Sequence, residues 1–267
     1  MENSDSKRRM IGMDEMFPII KGAEKFYFKG SKIGILISHG FVGTPQSVRY
    51  LGERLAQYGY SVLAQRLKGH GTNYYDFEKC THEEWLESLE RGYQELKQNC
   101  TSIFVLGQSM GGTLALWLAH KYRDIKGIIL INAALTIPAY EHLKGKAIPR
   151  FIDEGEPDIK EKDVYEITYQ KVPIKAIHQL QTLMDITPEI LPEINSPVLA
   201  FKSAEDHVVP PENTDYIIDH IGSRIRERVV LSNSYHVASL DYDKEQIVKG
   251  CHRFVQQQVG SGVNQPL

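Results

Sequence analysis

Short apolar runs recur along this chain, and most are followed by a stretch with helical periodicity. Ile33–Ser38, Tyr60–Ala64, Ser102–Leu106, Gly127–Ile131, Pro197–Lys202 and Glu227–Leu231 read as strands. Between them, Ser47–Tyr58 places Val48, Leu51, Leu55 and Tyr58 on one helical face, and Gly59 stops it. Thr81 stands three residues before Glu84, a capping-box signature that opens a helix with the stripe Trp85, Leu86, Leu89, Tyr93 and Leu96. Glu212–Ile221 and Lys244–Val259 repeat the pattern after the later strands. Strands and helices in strict alternation predict the α/β class: a mostly parallel central sheet covered by helices on both faces.

Composition narrows the field. The chain has 267 residues, 42% hydrophobic and 24% charged, which excludes fibrous, low-complexity and disordered classes. A net charge of -3 leaves no basic footprint, so no nucleic-acid partner is expected. Cys80, Cys100 and Cys251 are odd in number and far apart, which argues against a disulfide framework or a zinc site. A reducing, cytoplasmic location follows as the expectation. The first ten residues are polar with no apolar run behind them, so no signal peptide is read. The longest apolar stretch, Gly127–Pro138, is too short for a membrane span.

The strand–helix rhythm breaks between residues 134 and 193, where aromatic and aliphatic residues are scattered among charges. Structureless loops of that length are rare in compact domains, so this stretch reads as a small inserted cap. The expected organisation is a frayed leader over 1–16, a core over 17–133 and 194–259, the cap over 134–193, and a flexible tail over 260–267.

The chemistry gathers around Gly107-Gln108-Ser109-Met110-Gly111. It follows a strand and opens an apolar helix, the setting of a nucleophile elbow. In so tight a turn, side chains two positions either side of Ser109 would collide, and glycine at 107 and 111 removes both collisions. A serine hydroxyl needs a base within reach and an acid to orient that base. Asp206 lies in the loop after one later strand and His236 in the loop after the last, in the chain order serine, acid, histidine. Glu205 and His207 are the sequence neighbours that compete for these roles. A base beside its own orienting acid could hardly also reach Ser109, which favours His236 over His207. The oxyanion donors are expected to be the backbone amides of Met110 and of Phe41, in the loop His39-Gly40-Phe41 after the first strong strand. No GxGxxG opens a helix, and neither GxxxxGK[ST] nor HExxH is present, so no cofactor and no metal are expected. His70 reads as structural or as lining the site.

Together HGF at 39–41, RLKGHGT at 66–72, SMGG at 109–112, EDHVVPP at 205–211 and NSYHVASLDYD at 233–243 resemble the bacterial monoacylglycerol lipases and carboxylesterases of the α/β-hydrolase superfamily. The likeness extends from about Phe17 to Val259. It implies an α/β-hydrolase fold, Ser109 as nucleophile, Asp206 and His236 as its partners, and oxyanion amides at Phe41 and Met110. It further implies hydrolysis of monoacylglycerol to glycerol and fatty acid, with an apolar acyl tunnel and a polar spot for glycerol under the cap. The expected partners are a lipid ester substrate and, through the cap, transient contact with lipid aggregates; the chain would be a monomer or homodimer. Two departures stand out: Gln108 replaces the leucine usual in such proteins, and the cap around Glu141–Arg150 is short and matches poorly. A short-chain carboxylesterase is the alternative enzyme. A non-catalytic ligand-binding protein on the same fold is the rival of another class; such proteins usually lack one of the three residues.

Overall fold

The computed structural model describes residues 15–260. Of the expected leader over 1–16 and tail over 260–267, residues 1–14 and 261–267 lie outside the described residues, and Gly260 closes the last helix. Glu15 and Met16 also belong to the expected leader, yet both are tied to the body of the protein. The Glu15 carboxylate takes two bonds from the Arg66 guanidinium, at 2.8 and 2.6 Å. The Met16 amide donates to Asp76 at 2.8 Å.

The chain opens with β1 (Phe26–Phe28), β2 (Ile33–Ser38), α1 (Arg49–Gln57) and β3 (Ser61–Gln65). Next come α2 (Tyr74–Phe77), α3 (His82–Lys97), β4 (Ser102–Gln108), α4 (Met110–Lys121) and β5 (Gly127–Ile131). α5 (Pro138–Glu141), β6 (Phe151–Asp153), β7 (Lys171–Pro173) and α6 (Ile174–Ile190) follow. The chain then runs through β8 (Val198–Ser203), α7 (Glu212–His220), β9 (Arg226–Leu231) and α8 (Lys244–Gly260).

Seven strands form one sheet in the order β1-β3-β2-β4-β5-β8-β9. Only β1 runs antiparallel to its neighbour. Side chains alternate across the sheet and build a core on each face. Ile35, Ile37, Phe104, Leu106 and Ile129 pack towards α1 and α8, while Leu36, Val105 and Leu130 pack towards α3, α4 and α6. Phe104 and Leu89 are fully buried, and each such side chain contributes roughly 1.5–3 kcal/mol. Cys251 sits wholly inside the α8 side of this core, and burial pushes its thiol up. α3 begins as its sequence foretells: Thr81 Oγ1 accepts the Glu84 amide, and the Glu84 carboxylate accepts the Thr81 amide at 3.0 Å.

The stretch between β5 and β8 holds structure the sequence did not disclose. β6 and β7 pair antiparallel as a separate two-stranded sheet. α6 is no loose lid helix, since Ile177, Leu180, Leu183 and Met184 are buried in the main core. Trp117 of α4 donates to Thr187 of α6 at 2.8 Å. Among the described residues, no helix is long and apolar enough to cross a membrane.

This topology sends the carboxyl ends of β2, β4, β8 and β9 to one edge of the sheet. The loops leaving them carry Phe41, Ser109, Asp206 and His236 respectively.

Candidate active site

At the end of β4 the backbone turns through Ser109 at φ 56 and ψ -125, a conformation L-residues avoid. The turn exists because its flanks are glycine. A carbon added at Gly111 would stand 2.4 Å from the Ser38 carbonyl oxygen. The Ser109 amide is held by the Ile131 carbonyl at 2.9 Å, which fixes the elbow to β5.

Three distant segments meet at this point. His236 Nε2 lies 2.9 Å from Ser109 Oγ, and His236 Nδ1 lies 2.8 Å from Asp206 Oδ2. An ionised carboxylate can only accept, so Nδ1 carries the proton and Nε2 is left to accept from the serine hydroxyl. The second Asp206 oxygen accepts the amides of Val208 and Val209 at 2.9 and 2.8 Å. The Asp206 side chain is only 1% exposed, so its charge is used inside the protein rather than hydrated. The competing neighbours face elsewhere. The His207 ring is exposed and bonds Asp158 at 2.8 Å, which holds its imidazole above the usual histidine range. Glu205 lies 3.7 Å from His207 and from Lys160, out of line with Ser109.

Met110 opens α4, so its N–H has no intrahelical acceptor. The Phe41 N–H makes no hydrogen bond to another described residue. A carbon added at Gly40 would come within 3.3 Å of Ser109 Cβ, so the 39–41 loop passes directly against the elbow. The loop is braced by His39, a role the sequence did not reveal. His39 Nδ1 donates to the Gly40 carbonyl at 3.0 Å, and its Nε2 accepts the Leu67 amide at 3.2 Å. Accepting the Leu67 amide at Nε2 needs a neutral ring, and burial lowers this imidazole to about 4. His70 is equally buried, packed edge-on against Phe77 and Trp85, and does not border the cavity.

Other supports also escaped the sequence reading. Asn132 donates to the His236 carbonyl at 2.9 Å, and its oxygen accepts the Ser203 amide at 2.8 Å. Gln108 accepts the Ser239 amide at 3.1 Å, tying the elbow to the loop that carries His236. The strain at Asn132, φ 46, marks it structurally, but sequence gives no sign of such a conformation.

A cavity of about 100 Å³ opens beside Ser109. Phe41, Ile137, Tyr140 and Val208 form apolar parts of its wall, and Glu154 and Glu166 stand among the rest. Burial raises both carboxyls to about 7; the Glu166 charge adds to the effect on Glu154, while Ser47 and His236 pull Glu166 the other way.

A serine, an imidazole and a carboxylate aligned at the carboxyl edge of a mainly parallel sheet define the serine hydrolase type of the α/β-hydrolase fold. The chain belongs to the serine aminopeptidase S33 family, also termed Hydrolase 4, which matches residues 31–243. It is 48% identical over 250 residues to the thermostable monoacylglycerol lipase of Bacillus sp. (strain H-257), covering 93% of this chain and all of that one. It is 26% identical to a carboxylesterase of Bacillus subtilis (strain 168), covering 86% of this chain and 95% of that one. Among solved structures, one from work on LipS and LipT, two metagenome-derived lipolytic enzymes, superimposes with a TM-score of 0.87 at 39% identity. That match covers 90% of this chain and all of the other.

Proposed function

We propose that the chain hydrolyses monoacylglycerol to glycerol and a free fatty acid through an acyl-enzyme, with Ser109, His236 and Asp206 as the catalytic residues. The observation that carries this reading is the unbroken line Asp206–His236–Ser109, with both contacts below 3 Å. Ser109 Oγ attacks the ester carbonyl as His236 Nε2 takes its proton. Asp206 keeps the ring in the right tautomer and stabilises the imidazolium. The Phe41 and Met110 amides hold the negative oxygen that forms. His236 returns the proton to the departing glycerol, and water then resolves the acyl-enzyme with the same base.

The carboxyls of Glu154 and Glu166 give the cavity a polar, hydrogen-bonding side, which suits a polyhydroxy alcohol as leaving group. The lipase named above supports the same substrate class. Residues 134–193, whose last α-helix, α6, packs into the main core, form the cap insertion. Its exposed Ile148 and Tyr165 support transient contact with lipid aggregates. Three free, buried cysteines support a cytoplasmic location.

A short-chain carboxylesterase is the second reading. It is favoured by the cavity volume of about 100 Å³, well below the roughly 300–1,000 Å³ of pockets that enclose drug-sized ligands. Turnover on monoacylglycerols of several chain lengths, set against ethyl and nitrophenyl esters with Ser109→Ala as control, separates the two. Activity on simple esters alone removes the lipase reading. Turnover that survives Ser109→Ala removes both.

A further inference from the structure

Asp158 lies in the cap between β6 and β7, and its carboxylate collects three donors. Oδ1 accepts His207 Nδ1 at 2.8 Å. Oδ2 accepts two backbone amides, that of His207 and that of His236, each at 3.1 Å. One of these amides belongs to the proposed base itself. The other belongs to the residue that follows the proposed acid. The Asp158 carbonyl also accepts the Val237 amide at 3.1 Å. The Asp158 side chain is 14% exposed, and of its three charge-assisted bonds the one to the His236 amide is part-buried while the two to His207 lie at the surface.

The neighbouring cap residues are stitched to the same loop from the other side. Lys160 and Glu161 donate their amides to the fully buried Asp241, at 2.7 and 3.0 Å. Asp241 also accepts the amide of Tyr235, directly before His236, at 2.9 Å. The acid loop and the base loop leave the paired strands β8 and β9, joined at their roots by the Ala204 amide to the Leu231 carbonyl at 2.9 Å and by Ser203 Oγ to the Tyr235 carbonyl at 2.9 Å. Their spacing sets the Asp206–His236 contact, and among the described residues the one side chain that takes a backbone amide from both tips comes from the cap.

We propose that Asp158 is a positioning residue: it holds the loops of Asp206 and His236 in register, so that the catalytic line is complete only while cap residues 158–161 are docked. The inference rests on the reading of Ser109, His236 and Asp206 given above. Asp158 borders the cavity beside Ser109, but both its carboxylate oxygens are engaged by His207 and His236 and no hydrogen bond links it to Ser109, so its role is to position His236 and the Asp206 loop.

The test compares Asp158→Ala, Asp158→Asn and Arg150→Ala with the wild type and Ser109→Ala. Arg150 joins the cap to Glu78 by an ion pair remote from these loops, so its loss reports general loosening of the cap. Turnover of nitrophenyl acetate, a small ester that needs little of the cap, is measured with the rate of labelling by a fluorophosphonate. Thermal melting confirms that each variant is folded. The expected result is a 10- to 100-fold fall in kcat for Asp158→Ala, with KM within about twofold and labelling slowed in parallel. Asp158→Asn keeps one acceptor oxygen and should fall between it and the wild type; it decides the matter if Asp158→Ala does not fold. Arg150→Ala should stay within about twofold. Three outcomes would each overturn the inference: folded Asp158 variants that react like the wild type, a loss confined to KM, or an equal loss in Arg150→Ala. If the wild type is neither labelled at Ser109 nor dependent on it for turnover, the underlying functional reading fails instead.

Discussion

Gly107 and Gly111 approach so closely that a side-chain carbon at 107 would sit 2.1 Å from the Gly111 carbonyl oxygen. That oxygen belongs to the first turn of α4 and has no freedom to withdraw. Gly107→Ala is therefore expected to open the elbow rather than be absorbed. The cost should reach about 3 kcal/mol, the upper range of overpacking. In a domain of this size, that lowers the melting temperature by roughly 6 °C or more. Melting curves and fluorophosphonate labelling check it, and a variant with wild-type melting and full labelling would show that the elbow has slack.

The amide of Phe41 is what the oxyanion needs, while its side chain serves packing and the apolar wall of the cavity. The ring packs against Phe77 and Trp85, with centroids 5.0 and 5.9 Å away. Phe41→Ala keeps the amide and removes this packing. It should cost about 2–3 kcal/mol of stability, less than a fully buried phenylalanine, with turnover reduced less than tenfold. Ser109→Ala should do the opposite, leaving stability nearly intact and lowering kcat by a factor on the order of 10⁶. Steady-state kinetics beside urea unfolding separate the two. A Phe41→Ala loss as deep as that of Ser109→Ala would mean that the ring is needed to hold the amide in place.

What could be read from the sequence, and what could not, divides along a physical line. The elbow was legible because its requirement is local: glycines at 107 and 111 around a serine, between a strand and a helix. The strand-end positions of Asp206 and His236 were legible because parallel topology sends their loops to one edge. The braces were not. His39 acts on a loop through Leu67, and Asn132 acts on His236 from the end of β5, contacts that exist only once the chain is folded. β6 and β7 have three residues each, too few to show a period. α6 starts at Ile174 after Pro173, with no side-chain cap to announce it, and carries Pro188 in its last turn. The replacement of leucine by Gln108 stood out in the sequence, but its tertiary partner, the amide of Ser239, did not.

Because His39 is buried and neutral, acid should strip stability from the fold. Its imidazole titrates at about 4 in the native state against 6.5 when free. Between these values the unfolded chain binds the proton and the native one does not, so stability is lost as pH falls from 6.5 towards 4. The loss from this group approaches about 3 kcal/mol at the low end. His70, lowered by the same cause, adds in the same direction. The carboxyls of Glu154 and Glu166, both raised to about 7, oppose part of it above pH 4.5. The comparison that isolates His39 is therefore urea unfolding of wild type and His39→Gln across pH 6.5 to 4.5. The wild type should lose more, and parallel slopes would show that His39 is protonated in the native state.

Glu166 carries the opposite sign. Its carboxyl ionises at 4.5 when free and is raised to about 7 in the fold by burial. The native state thus holds a proton that the unfolded chain releases, and the stability this provides is present below pH 4.5 and lost as pH rises through 7. Above that point a carboxylate charge sits in the cavity beside Glu154, which is raised to about 7 as well. Glu166→Gln fixes the neutral form. It should melt close to the wild type at pH 4.5, gain on it steadily between pH 4.5 and 7, and gain little more by pH 8. The full gain should reach roughly 6 °C or more, since a shift of this size is worth about 3 kcal/mol and each 1 kcal/mol moves the melting temperature by roughly 2–4 °C at this size. Melting of both proteins in a pH series reads the effect directly. A difference that stays flat from pH 5 to 8 would mean that Glu166 is ionised throughout and that its charge is compensated inside the cavity.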